Sequence, residues 1–133
     1  VELEPFEEQT RAEWGPIRRE EPDLRRRVRT ARRLAERCAE ELYAEYEVDR
    51  VYSFGSLAER GASAFGENSD VDLLVEGLDA SKLFEAEGRL ELEVVESSEV
   101  FREFGFDLVR TEDVDLDPAE LVANGEAVPL PEN

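Results

Sequence analysis

The stretch Ser69-Asp70-Val71-Asp72-Leu73-Leu74-Val75-Glu76-Gly77 holds a short apolar run that stops at a glycine. A run of this length, rich in valine and leucine and ended by glycine, predicts a strand over Val71–Glu76. Alternation along a strand puts Asp70 and Asp72 on the same face, with Val71 turned the other way into a core. Two carboxylates side by side repel by a few kcal/mol at low effective dielectric unless something compensates. A hard divalent cation is an economical compensator, and all-oxygen ligation suits magnesium. Plainer roles stand beside this one: Asp70 as a cap at the strand start, and Asp72 as an edge-strand acid that discourages aggregation.

Working outward, Asp49 to Phe54 predicts a second short strand, halted at Gly55-Ser56. Leu57 to Arg60 suits a helical turn, and the small polar residues from Gly61 to Ser69 suit a loop. Downstream, Asp79-Ala80-Ser81 caps a helix that includes Leu83 and Phe84. Leu90 to Val95 fits either strand alternation or a helix continuing toward Phe104. Gly105 to Arg110 predicts another strand, and Asp117-Pro118 opens a short helix that ends at Asn124-Gly125.

The strongest periodicity lies upstream. Leu24, Val28, Ala31, Ala35, Cys38 and Leu42 recur every three or four residues, which predicts a helix over Asp23–Tyr46 opening at Glu21-Pro22-Asp23. Val1 to Glu21 is polar, with Phe6, Trp14 and Ile17 as anchors for a short helix. Strands alternating with helices predict an α/β or α+β domain, a small mixed sheet covered by helices. The far side of the long helix carries Arg25, Arg26, Arg27, Arg29, Arg32, Arg33 and Arg37. That side reads as a solvated face with ion pairs such as Arg37 to Glu41, or as a docking surface for an acidic partner. Cys38, on the apolar stripe, reads as plain core.

Composition narrows the chemistry. At 133 residues the chain is one domain by size, and a hydrophobic fraction of 41% is enough to fold. Histidine is absent and Cys38 is the lone cysteine, so disulfide frameworks, Cys/His zinc sites and Ser-His or Cys-His nucleophile pairs are excluded. Carboxylates, hydroxyls, arginines and metals remain. The net charge is -19, of which only -3 falls on Val1–Glu47 and -16 on Val48–Asn133. Such an acidic surface repels nucleic acid. With fifteen arginines to one lysine, Lys82, it suits a salt-rich cytoplasm, where ions screen self-repulsion. No apolar run is long enough for a membrane span, and no basic-then-apolar leader pattern follows Val1, so the expected location is the cytoplasm.

A strand halting at Gly55-Ser56 offers backbone N–H groups and a hydroxyl to an anion, and glycine permits close approach. A third acid, Asp107, lies between apolar neighbours in Phe106-Asp107-Leu108-Val109. Taken together, Phe54-Gly55-Ser56, then Ser69-Asp70-Val71-Asp72-Leu73-Leu74-Val75, then Phe106-Asp107-Leu108-Val109 resemble the nucleotidyltransferases of the DNA polymerase beta superfamily. Within that group the chain looks most like the minimal nucleotidyltransferases (MNT) that are paired with HEPN ribonuclease toxins. The resemblance covers about Val48 to Pro129, and the family also carries a helix ahead of this region.

The resemblance implies a polymerase-beta-like core over residues 48–133, with residues 1–47 a helical segment packed on the same domain. It implies that Gly55 and Ser56 hold the triphosphate of ATP. Asp70 and Asp72 would ligate two magnesium ions, with manganese as a substitute, and Asp107 would complete the metal site nearest the attacking group. Arg60 falls roughly where the family places an arginine, although Gly55-Ser56-Leu57-Ala58-Glu59-Arg60-Gly61 is one residue longer than the family's run. Arg60 therefore reads equally as a phosphate contact or as a surface salt bridge. The implied reaction moves AMP to a hydroxyl, here a tyrosine of a partner HEPN toxin, which makes the chain an antitoxin. Transfer to a small molecule of aminoglycoside type, or a catalytically inactive antitoxin that binds by occlusion, are the alternatives.

Overall fold

The protein is a mixed α+β fold. A computed structural model describes residues 3–55 and 70–131, with side chains from Leu24 onward. In chain order come α1 (Leu3–Tyr46), β1 (Arg50–Phe54), β2 (Val71–Glu76), α2 (Leu83–Glu93), β3 (Phe106–Arg110), α3 (Pro118–Ala123) and β4 (Ala127–Leu130). The four strands form one sheet in the order β3-β2-β1-β4. β1 pairs antiparallel with both β2 and β4, whereas β2 and β3 run parallel. A parallel pair needs a crossover, and α2 with its flanking turns supplies it.

The helix start expected at Glu21-Pro22-Asp23 is a correction: α1 runs unbroken from Leu3 to Tyr46, through Pro16 and Pro22. An interior proline removes one backbone hydrogen bond. The surrounding Glu, Arg, Ala and Leu, all strong helix formers, carry the rest of the ladder. The helix ends where Glu47 turns left-handed, at φ 52°. The open choice at Leu90 is resolved as helix, with α2 closing at Glu93. The expected cap is present, since Asp79 accepts hydrogen bonds from the Ser81 backbone N–H and hydroxyl at 3.1 Å. A short 3-10 turn, Ala80–Lys82, then leads into α2.

One sheet face is packed and apolar. Val51, Val71, Leu73, Val75 and Leu108 lie fully or almost fully buried against Ala31, Leu34, Ala35, Cys38 and Leu42 of α1 and Ala86 and Leu90 of α2. Cys38 belongs to this core, and burial pushes its thiol up to about 12, so it stays protonated and unreactive. Polar ties fix the elements to one another. The Tyr43 hydroxyl donates to the Leu130 carbonyl at 2.6 Å and accepts from the Val51 N–H at 2.9 Å, joining α1 to β4 and β1. Arg89 of α2 donates to Glu41 of α1 at 2.6 Å. Arg37 therefore pairs with Glu40, at 3.5 Å, and not with the expected Glu41. Among the described residues, no helix is long and apolar enough to cross a membrane.

Candidate active site

The other sheet face is acidic at one end. Side chains alternate along a strand, so Asp72, Leu74 and Glu76 share the face of β2 opposite Val71, Leu73 and Val75. The register sets Phe54 beside Asp72 on one side and Asp107 on the other. Neighbouring strands lie about 4.8 Å apart, so the Asp72 and Asp107 backbones are one strand spacing from each other. Asp70 stands two residues before Asp72, immediately ahead of β2, and is exposed. Three acids of the sequence analysis therefore come to one end of one face. β2 is an interior strand, which removes the edge-protection role for Asp72; only Asp107, on the edge strand β3, could still play it.

Two glycines make room for these carboxylates. Gly55 follows β1 with φ +77°, a left-handed turn that suits glycine, and a Cβ placed there would meet Asp72 Oδ2 at 2.5 Å. A Cβ on Gly105 would meet Asp70 Oδ1 at 2.8 Å. The sequence reading places Gly105 inside the strand; the structure puts it one residue ahead, where the Val71 N–H donates to its carbonyl at 3.0 Å. Its part in the site is spatial. Its only trace in the sequence is a glycine directly before Phe106-Asp107-Leu108-Val109.

Electrostatics mark Asp72 as the strained member. Its pKa is raised from 3.8 to about 6, first by desolvation on partial burial, then by the Asp107 carboxylate, then by Asp70. No cation offsets these effects among the described residues. The donor set is all oxygen, so its chemistry fits a hard divalent cation. In the present arrangement, no group of three or more acidic or cysteine side chains among the described residues is gathered closely enough to hold a metal ion. Ser56 and Arg60, the helical turn expected at Leu57–Arg60 and the loop expected at Gly61–Ser69 lie outside the described residues. The chain matches no protein-family model, and no curated protein matches it.

Proposed function

We propose that this chain is a magnesium-dependent nucleotidyltransferase that moves AMP from ATP to a hydroxyl group. The observation that carries the proposal is the convergence of Asp70, Asp72 and Asp107 at one end of one sheet face, with Asp72 raised to about 6 by burial and by the other two. At neutral pH Asp72 is mostly ionised, so the three acids present a concentrated negative charge that a divalent cation relieves. Asp70, Asp72 and Asp107 would hold the ions. When bound, magnesium neutralises the triphosphate and lowers the pKa of the acceptor hydroxyl.

The chain's own residues set the geometry. Gly55, in its left-handed turn, carries no side chain of its own, which lets the Asp72 carboxylate lie close against its backbone, where a phosphate would bind beside it. Asp107, exposed on the edge strand, would complete the metal site nearest the attacking group. A bond forms from the acceptor oxygen to the α-phosphorus as the hydroxyl proton is lost to solvent, the bridge to the β-phosphorus breaks, and pyrophosphate leaves. The acceptor in this reading is a tyrosine of a HEPN-type partner protein, with Ser56 and Arg60 as further phosphate contacts.

Incubation with ATP, magnesium and a tyrosine-bearing peptide from a HEPN protein tests the proposal. Equal amounts of pyrophosphate and AMP-modified peptide are expected, both lost in Asp72→Asn. Release of ADP and phosphate, or undiminished transfer by the variant, would overturn it.

A further inference from the structure

The outer side of α2 carries large apolar side chains where a surface helix is ordinarily polar. Phe84 is 86% exposed and Leu92 70%. They stand eight residues apart, about two turns and about 12 Å along the axis, so both lie on one side of the helix. Ala86 and Leu90, buried in the core, mark the opposite side. Midway between the exposed pair, four residues from each, is Gly88. Glycine is a poor residue for a helix interior, and a Cβ here would meet nothing within 4 Å, so the packing of the fold does not require it. It leaves bare backbone between two large apolar side chains, a notch where another helix can approach closely.

We propose that this strip docks a basic amphipathic helix of a partner protein. Charge selects the occupant. α2 holds four glutamates and one arginine, and Arg89 is turned toward α1, where it meets Glu41 at 2.6 Å and Glu45 at 3.4 Å. Glu87 and Glu91 run along one margin of the strip, a like-charged pair at a spacing that destabilises a lone helix. Glu85 marks the other margin; it meets Lys82 at 3.6 Å and the Tyr46 hydroxyl at 3.2 Å, yet 60% of its side chain remains exposed. A partner helix with an apolar seam flanked by lysine or arginine would cover Phe84 and Leu92 and offset the acids on both margins. Pairing with the same helix of a second copy would instead set Glu against Glu, between molecules each of net charge -19. The strip points away from the core, and Asp72 lies on the sheet face opposite the one that α2 packs against. Docking therefore leaves the acidic site open, and none of this depends on chemistry there.

The test uses two synthetic amphipathic peptides of about twenty residues, long enough to form a helix. Both carry the same leucine seam, flanked by lysine in one and by glutamate in the other. Each is titrated into the 15N-labelled full chain and followed through backbone amide shifts. The lysine peptide should give saturable shifts centred on Phe84, Gly88 and Leu92, and the glutamate peptide should bind at least about ten-fold more weakly. Phe84→Ser, at a position the core does not use, should weaken the lysine peptide at least about thirty-fold, the loss of one anchor side chain. Gly88→Gln separates docking from folding: it should raise the urea midpoint, as a better helix former, and still weaken the peptide by filling the notch. Shifts that fail to saturate or that centre on Asp70, Asp72 and Asp107 would overturn the proposal, as would equal binding of the two peptides or affinity unchanged in Phe84→Ser. A dimer in sedimentation that dissociates in Phe84→Ser would overturn it too, because the strip would then belong to a second copy.

Discussion

Leu73 and Asp72 are adjacent in sequence and sit on opposite faces of the same interior strand. Leu73 is fully buried among the helices, while Asp72 stays partly open beside two other acids. The second face is not uniformly polar. Leu74, on the same side as Asp72, is also fully buried, yet it stands apart from the main core cluster. Charge is therefore confined to the strand end, where Gly55 and Gly105 leave room for it. One face supplies the stability that lets the other hold like charges together. That division of labour predicts opposite responses to substitution at neighbouring positions.

The largest effect should come from the packed face. Leu73→Ala is expected to destabilise the fold by about 2–5 kcal/mol in urea denaturation, through lost apolar burial and the cavity left behind. A loss under 1 kcal/mol would mean that the helices do not clamp this face.

Asp72→Asn should do the reverse. The folded-state pKa of Asp72, about 6, lies above the ordinary 3.8, so the folded state holds this proton more tightly than the unfolded chain does. Its stabilising contribution is complete below pH 3.8 and is lost as pH rises through about 6. After allowance for screening by the solvent it still meets, the loss amounts to about 1–2 kcal/mol. The asparagine variant should be more stable than the parent at pH 7 by about that amount, and the difference should vanish near pH 4. Urea midpoints measured across this range check the sign; a variant less stable at pH 7 would show that the carboxylate is favourably paired.

A smaller effect separates strain from site geometry. Gly55 and Gly125 share a left-handed backbone, at φ +77° and +75°, but a Cβ on Gly125 would meet nothing within 4 Å. Alanine at either position should cost about 1–2 kcal/mol of backbone strain. Only Gly55→Ala should also displace the Asp72 carboxylate, so it alone should move the pKa of Asp72 as read by carboxyl 13C shifts. Equal pKa changes in both variants would mean that the clearance at Gly55 is incidental.

Much of this arrangement was legible in the sequence. The run Val71–Glu76 is a strand with the expected bounds, because apolar residues ended by glycine leave little choice. The apolar stripe of α1 and the shared side of Asp70 and Asp72 followed from periodicity alone. β4 was missed: it is four residues long and contains Pro129, which is tolerated because β4 lies at the sheet edge. The start of α1 was misplaced because a proline that usually opens a helix lies inside this one. Only the family resemblance, and no local pattern, brought Asp107 to the site of Asp72. Their pairing depends on two strands thirty residues apart meeting in parallel, a tertiary outcome.

The acidic end of the sheet is claimed as a cation-dependent nucleotide site, and calorimetric titration of the intact protein with ATP tests this most directly. With magnesium present, saturable binding is predicted for the parent chain and a loss of at least about ten-fold for Asp72→Asn, the equivalent of about 1.4 kcal/mol. Without a divalent cation, three unneutralised carboxylates should repel the triphosphate, and no binding at this site is expected. ATP binding that is tight without metal and unchanged in Asp72→Asn would contradict the account.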